Sequence, residues 1–178
     1  MIENKIIHLE EVSHKSGDSV VLCHGYFNII HPGHIRYLNY AQKQGSKLVV
    51  SLQGDNAFFE EKQLNFNEKE RALGVASLEA VDQVVLLGDA SLRELIHVLN
   101  PSILVLGKEF ENELQSYISD AVKLLQRQGG MVLYHAGEAN YASSELLRES
   151  QFDLNKERLR MFQQACKNQS LTRKSLLR

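Results

Sequence analysis

Two histidines with a pair of residues between them, His31-Pro32-Gly33-His34, have the types and spacing needed for phosphate chemistry. A spacing of three residues places both imidazoles on one side of a helical turn. The first turn of a helix has free backbone N–H groups and positive partial charge, which attract phosphate. Gly33 has no Cβ, so a phosphate can approach the turn closely. The pattern predicts that His31 and His34 stabilise charge developing on a phosphoryl group.

The same histidine pair admits a second interpretation, a metal site. Zinc usually requires a third protein ligand, and we identify no local Glu, His or Cys to supply it. Cys23 and Cys166 lie far apart without a C-x-x-C spacing, which argues against zinc or a disulfide framework and fits a reducing compartment. We therefore expect no protein-held metal. Four other histidines are interpreted as surface or satisfied core residues: His8, His14, His97 and His135.

The elements that must position this histidine pair follow from the hydrophobic pattern. Short apolar runs, typical of buried strands, alternate with segments of helical spacing. This alternation predicts βαβ units and a parallel sheet with helices on both faces. Ligands bind such sheets at the carboxyl ends of the strands. The five predicted strands cover residues 20–23, 47–52, 83–87, 103–106 and 131–134.

Helix boundaries are marked by capping residues and by breakers. Asn67 and Ser91 each precede a glutamate by three residues, which is the capping-box pattern. Pro32 suits the first turn of a helix whose spacing places Ile35, Leu38 and Ala41 on one face. The predicted helices cover residues 32–44, 68–80, 92–99 and 112–128, with a short helix from Ser143 or Ser144 and a last helix from near Leu154.

Composition and charge exclude several classes of protein. The chain has 178 residues, of which 43% are hydrophobic and 24% charged, so disorder throughout is excluded. Because it has neither a membrane-spanning run nor a signal peptide, we expect a cytoplasmic protein. Residues 156–178 hold seven basic side chains and one acid, and nearly lack the aromatic residues that stack on bases. We expect a domain over 1–150 and a basic helix or linker over 151–178 that leads to a further domain.

The loop that contains the histidine pair resembles a known motif. It contains Gly25-Tyr26-Phe27-Asn28 before the histidines, and the cytidylyltransferase-like branch of the nucleotidyltransferase superfamily has G-x-F-D-x-x-H-x-G-H at this place. The resemblance covers residues 19–150. It looks closest to the adenylyltransferase domain of bifunctional heptose-phosphate kinase/adenylyltransferases, and next to glycerol-3-phosphate cytidylyltransferase. Asn28 departs from the motif's Asp, which removes a carboxylate.

The resemblance implies a fold, an activity and partners. The fold is a Rossmann-like doubly wound parallel five-stranded sheet with a C-terminal helix. The implied enzyme transfers a nucleoside monophosphate from ATP or CTP to a sugar- or polyol-phosphate and releases pyrophosphate, with Mg²⁺ bound through the triphosphate. We also expect a homodimer, no nucleic acid or membrane partner, and a fused sugar-kinase domain in the parent protein.

The resemblance also implies the residues of the site. Catalysis is assigned to His31, His34, Lys62 and Arg71, with Lys62 and Arg71 neutralising the charge of the phosphates. Nucleotide binding is assigned to nine positions: Gly25, Tyr26, Phe27, Asn28, Gly33, Gly107, Glu109, Ser143 and Ser144.

Two other functions stay open at this point. A protein with Asn28 and Leu106, where relatives have Asp and Lys, could bind a nucleotide without turnover and regulate an attached domain. Release of pyrophosphate distinguishes the enzyme from such a module. A third hypothesis is a metal- or nucleic-acid-binding protein that uses the histidine pair or the basic tail. Metal analysis and salt-dependent DNA binding would test that hypothesis.

Overall fold

A sheet of six parallel strands organises the computed structural model, which describes residues 2–13, 19–57, 65–111 and 116–135. All of these residues lie in one compact unit, residues 1–139. The strands are β1 (Ile6–His8), β2 (Val20–Gly25), β3 (Lys47–Leu52), β4 (Gln83–Leu86), β5 (Ile103–Gly107) and β6 (Met131–His135).

The order of the strands shows where a ligand can bind. Across the sheet the order is β1-β4-β3-β2-β5-β6, and every neighbouring pair is parallel. From β2 the chain moves outward through β3 and β4, and then returns to add β5 and β6 on the other side. This reversal confirms the predicted doubly wound sheet. Such sheets bind ligands in the crevice at the carboxyl ends of the strands where the order reverses, here β2 and β5.

In the described part of the chain, four α-helices cover the two faces of the sheet. Successive residues of a strand point to opposite faces, so β2 contributes Val21 to one core and Leu22 to the other. The Val21 core also contains Leu38, whereas the Leu22 core contains Leu95 and Ile118. The helices are α1 (Pro32–Gln42) and α2 (Glu68–Ala76) on the Val21 side, and α3 (Leu92–Leu99) and α4 (Ser116–Arg127) on the Leu22 side.

The sheet has one strand more than the sequence predicts, and the apolar face of α1 is only partly buried. The expected five-stranded sheet has a sixth strand, because β1 pairs with β4 at the edge of the sheet. Its three residues are too few to give a periodic signal. Ile35, which the spacing places on one helix face with Leu38 and Ala41, is 41% exposed, whereas those two residues are buried. Tyr37 is buried instead, and its hydroxyl donates to the carbonyl of Val105 at 2.5 Å.

The predicted helix starts are confirmed where they lie in described residues. The Asn67 side chain accepts from the N–H of Glu70, and the Ser91 side chain accepts from the N–H of Glu94. Both capping boxes are complete. α2 ends at Ala76 rather than near residue 80, and turns follow it.

The expected helices from Ser143 or Ser144 and from near Leu154, and the domain boundary at residue 150, lie outside the described residues. Within the ranges that are described, no helix is long and apolar enough to cross a bilayer.

Candidate functional site

The β2–α1 loop, residues 26–31, begins at the carboxyl end of the central strand. Gly25 ends β2, and His31 is the N-cap of α1. Cys23 of β2 pairs with Val105 of β5, so the chain leaves both strands two residues beyond the same pair. Gly25 and Gly107, both predicted to bind nucleotide, therefore flank the crevice at the reversal of strand order.

The two histidines of the motif stack on each other at the start of α1. The ring centroids of His31 and His34 lie 3.9 Å apart, with an angle of 25° between the planes. The ring of Phe27 packs on His34, and the centroids of these two rings lie 4.9 Å apart. Phe27 is buried and has a left-handed φ of 49°. A non-glycine residue is held in this region only by its surroundings, at a cost of about 1–3 kcal/mol.

His31 caps the helix, and this contact determines its tautomer. Its Nδ1 accepts a hydrogen bond from the N–H of Gly33 at 3.1 Å. A nitrogen that accepts carries no proton, so neutral His31 has its proton on Nε2. The helix N-terminus thus combines backbone N–H groups with an imidazole N–H donor.

Both imidazoles of the pair are neutral at physiological pH. The pKa of His34 is lowered to about 4, mainly by burial and to a smaller extent by the charge of the neighbouring His31. Burial and then the charge of Arg36 lower the pKa of His31 as well. The hydrogen bond from Gly33 acts in the same direction, because protonation of Nδ1 would remove the acceptor. The pair therefore offers hydrogen bonds to an anion rather than a fixed positive charge.

Arg71, predicted to face the phosphates, has its guanidinium inside the protein. The side chain is 0% exposed. Nη1 donates to the carbonyl of Tyr26 at 2.6 Å. Nη2 donates to the carbonyl of Gln53 and to Oδ1 of Asp55, both at 2.8 Å. These bonds link α2 to the loops that follow β2 and β3, and the expected contact with phosphates stays a prediction.

Asn28, at the place of the motif's aspartate, makes a hydrogen bond to a second loop. Its Oδ1 accepts the backbone N–H of Asn65 at 2.9 Å. An amide oxygen can make this bond as a carboxylate would, but it carries no charge. The β2–α1 loop is thereby joined to the residues that precede α2.

The structure places the remaining predicted site residues only in part. Gly33 is buried in the first turn of α1. The backbone of Glu109 belongs to the 3-10 turn Lys108–Phe110, directly after Gly107 of β5, and its side chain lies outside the description. Three further predicted residues are also outside the described ranges: Lys62, Ser143 and Ser144.

A buried polar pair beside the loop was missed from the sequence. His24 precedes Gly25 and is 7% exposed, with its Nδ1 2.9 Å from Oγ of Ser51 on β3. The Ser51 hydroxyl donates to the carbonyl of Cys23, so it accepts from an Nδ1–H of His24. Burial lowers the pKa of His24 to about 4, which keeps the ring neutral. Only the pairing of β2 with β3 brings the two side chains together, and one strand alone gives no signal of it.

Tyr26 is held from both faces of the sheet. Its carbonyl binds Arg71 of α2, and its side chain forms a hydrogen bond with that of Tyr117 of α4. Burial and the neighbouring Tyr26 raise the pKa of the Tyr117 hydroxyl. The Tyr117 ring also meets His24 edge-on, with the centroids 6.2 Å apart. The first residue of the β2–α1 loop is therefore fixed by contacts with helices on both faces of the sheet.

Family comparison identifies the class of protein that carries this site. The family model described as cytidylyltransferase-like matches residues 22–150. The chain belongs to the cytidylyltransferase-like family, as the motif predicted, and the expectation of a nucleotidyltransferase enzyme is confirmed.

Curated relatives share the name bifunctional protein HldE. The Helicobacter pylori protein is 35% identical over 134 residues, which are 71% of this chain and 29% of that protein. The Campylobacter fetus protein is 41% identical over 113 residues, which are 61% and 25% of the respective chains. The chain thus spans about a quarter of the length of these relatives.

Solved structures agree with the fold class. A lipopolysaccharide core biosynthesis protein from Thermoplasma volcanium matches with a TM-score of 0.55 and 27% identity, over 66% of this chain and 94% of that one. Pantothenate synthetase from Thermus thermophilus matches with a TM-score of 0.50 and 12% identity, over 74% of this chain and 61% of that one. The second likeness concerns the fold alone.

Proposed function

We propose that the chain transfers a nucleoside monophosphate from ATP or CTP to a sugar- or polyol-phosphate, with release of pyrophosphate. The observation that carries this proposal is the stacked His31–His34 pair at the N-terminus of α1, in the crevice beside β2 and β5. Family membership supports nucleotidyl transfer. The name of the Thermoplasma volcanium protein supports an acceptor of the carbohydrate class.

The reaction is an in-line displacement at the α-phosphorus. A phosphate oxygen of the acceptor forms a bond to the α-phosphorus, and the bond from that phosphorus to the bridging oxygen of the β-phosphate breaks. Pyrophosphate leaves with the electron pair. An acceptor phosphate is already an anion at neutral pH, so this step requires no general base. Positioning and charge stabilisation therefore supply the catalysis.

The histidine pair fits this chemistry because its donors are in place before the nucleotide binds. Nε2–H of His31 and the N–H groups of the first turn of α1 can bind phosphate oxygens. A triphosphate beside His34 favours the charged imidazole, so binding raises the pKa of His34 from its low value. Positive charge then develops where negative charge accumulates on the phosphates.

Magnesium enters this scheme as part of the nucleotide substrate. No group of three or more His, Cys, Asp or Glu in the described ranges is placed to hold a metal ion. Asn28, at the position of the motif's Asp, contributes no charge. Mg²⁺ retains water and phosphate ligands readily, so the triphosphate would be its main ligand.

Replacement of His34 by Ala tests the proposal. Loss of a donor that stabilises transition-state charge lowers kcat by about 10²–10³-fold. The assay is pyrophosphate release from ATP or CTP in the presence of a panel of sugar phosphates. His97→Ala is the matched control, because His97 is exposed on α3. If His34→Ala retained activity within about threefold of wild type, His34 would have no part in the reaction.

A nucleotide-binding module without turnover is the second candidate, and the missing carboxylate at Asn28 favours it. Such a module would gain thermal stability with ATP or CTP, by about 2.7 kcal/mol at one hundred times its dissociation constant. It would release no pyrophosphate with any acceptor.

The homodimer and the fused sugar-kinase domain stay predictions. Light scattering of the purified chain tests whether it forms a homodimer.

A further inference from the structure

We propose that Arg71 and Asp55 are positioning residues that hold the β2–α1 loop in its nucleotide-binding conformation, and that Arg71 does not contact the phosphates. This inference rests on the proposed function and assigns a different role to Arg71 within the same site. It is carried by the burial of the guanidinium and by the partners of its two terminal nitrogens.

The guanidinium joins two loops that leave neighbouring strands. Nη1 binds the carbonyl of Tyr26 in the β2–α1 loop, and Nη2 binds the carbonyl of Gln53 after β3, at 2.6 and 2.8 Å. A guanidinium is planar and its N–H groups point in fixed directions. One side chain therefore sets the distance between the two carbonyls. The N–H of Gln53 also donates to the carbonyl of Gly25 at 3.1 Å, which closes the connection between the loops.

Asp55 anchors this guanidinium to the start of α2. Its Oδ1 accepts from Nη2 of Arg71 at 2.8 Å. Its Oδ2 accepts the N–H of Glu68, the first residue of α2, at 3.0 Å. A carboxylate at a helix N-terminus is favourable there. Asp55 thus holds the guanidinium of Arg71 and also the start of α2, the helix on which Arg71 lies.

The same contacts argue against a direct role in phosphate binding. The Arg71 side chain is 0% exposed, whereas that of Asp55 is 42% exposed. A phosphate oxygen that bound Nη1 or Nη2 in place of the present acceptors would have to displace the carbonyl of Tyr26 or that of Gln53. It would also meet the negative charge of Asp55 beside the guanidinium.

We refer to Arg71 and Asp55 together as the clamp. The clamp acts on the histidine pair through the residues that follow Tyr26. Phe27 comes next, has a left-handed φ of 49°, and packs on His34. His34 in turn stacks on His31. Release of the Tyr26 carbonyl would let Phe27 leave its strained conformation, and the Phe27 ring would leave His34. A displacement of about 1 Å at a site of this kind can cost as much as 10²-fold in rate.

Two conservative variants distinguish a clamp from a phosphate ligand. Arg71→Lys keeps the positive charge, but a single ammonium cannot bind both carbonyls and the carboxylate in the same geometry. Asp55→Asn removes a negative charge that can only repel phosphate. A clamp predicts that each variant lowers kcat by about ten- to a hundredfold. A phosphate ligand predicts an unchanged rate and unchanged or tighter nucleotide binding for Asp55→Asn. For Arg71→Lys the titration of His34 decides between the two roles, because an ammonium replaces a guanidinium fork poorly in either of them.

A readout without turnover separates this inference from the proposed function. The pKa of His34 is measured by NMR titration of its imidazole in the substrate-free protein. Because burial holds it at about 4, a loosened loop raises it toward the ordinary value of 6.5 in both variants. Loss of a negative charge by itself would lower the pKa of His34 in Asp55→Asn. If wild type releases no pyrophosphate with any acceptor, the proposed function fails while the titration still tests the clamp.

The matched controls are Arg93→Lys on α3 and Asp120→Asn on α4, both at exposed positions. Neither should change the pKa of His34 or the rate. If Arg71→Lys does not fold, Asp55→Asn carries the test, because its side chain is partly exposed. The inference is overturned if both variants keep the low pKa of His34, or if Asp55→Asn binds nucleotide more tightly at an unchanged rate.

Discussion

Acidification should destabilise the fold through two histidines, His24, which is buried, and His34, which is partly buried. Each has a pKa of about 4 in the folded protein and an ordinary value of 6.5 when unfolded. The folded pKa is lower, so the unfolded state takes up protons first as the pH falls. The stability that depends on these neutral rings is complete above pH 6.5 and is lost as the pH falls toward 4.

The magnitude follows from proton linkage. At about pH 5 an unfolded histidine is almost fully protonated, whereas His24 and His34 in the fold are still mostly neutral. Each therefore lowers the free energy of unfolding by about 2 kcal/mol relative to about pH 7.5, and the two together by about 4 kcal/mol. Proteins are stable by only about 5–15 kcal/mol, so this loss is large.

Urea unfolding followed by circular dichroism measures this change at several pH values between about 7.5 and 5, above the range in which most carboxyl groups titrate. His24→Gln and His34→Gln should each lose about 2 kcal/mol less than wild type over this range. His97→Gln, at an exposed position of α3, is the control. A wild-type stability that does not change with pH, or single variants with the full wild-type dependence, would refute the reasoning.

Three further predictions concern the packing around the site. Gly54→Ala should lower the free energy of unfolding by about 3 kcal/mol or more, because a Cβ there would lie 1.9 Å from the carbonyl oxygen of Gly88; thermal unfolding measures this loss, and an unchanged Tm would contradict it. Tyr37→Phe should cost about 1–3 kcal/mol in urea unfolding, since it removes the donor to the buried carbonyl of Val105, and a cost near zero would deny that bond a role. Cys23, whose pKa burial raises to about 12, should react with a thiol reagent only after unfolding, and rapid labelling of the native protein would contradict its burial.

Local chemistry was sufficient to predict the helix starts and the histidine site. A capping box needs only a side chain and the N–H three residues later, and both predicted boxes are present, at Asn67 and at Ser91. The position of His31 and His34 in the first turn of α1 also depends on local spacing, and the structure stacks them there. These features hold because the interacting groups lie within one turn of the chain.

The partners of buried polar groups could not be predicted in the same way. Arg71 on an isolated helix gives no sign that it binds carbonyls that lie 45 and 18 residues away. The His24–Ser51 pair depends on the register between β2 and β3. β1 depends on its pairing with β4, since three residues alone have no strand signal. In each case the deciding contact is long-range, and the residue type alone fits a surface or core position equally well.

The central claim is that this chain transfers a nucleotidyl group, and isotope labelling of the nucleotide tests it most directly. ATP or CTP labelled at the α-phosphorus is incubated with Mg²⁺, wild-type protein and a panel of sugar phosphates, in parallel with nucleotide labelled at the γ-phosphorus. We predict that the α label appears in a sugar nucleotide and the γ label in pyrophosphate, and that His34→Ala forms both products about 10²–10³-fold more slowly. Transfer of the γ label to the sugar, or no transfer of the α label to any acceptor, would contradict the claim.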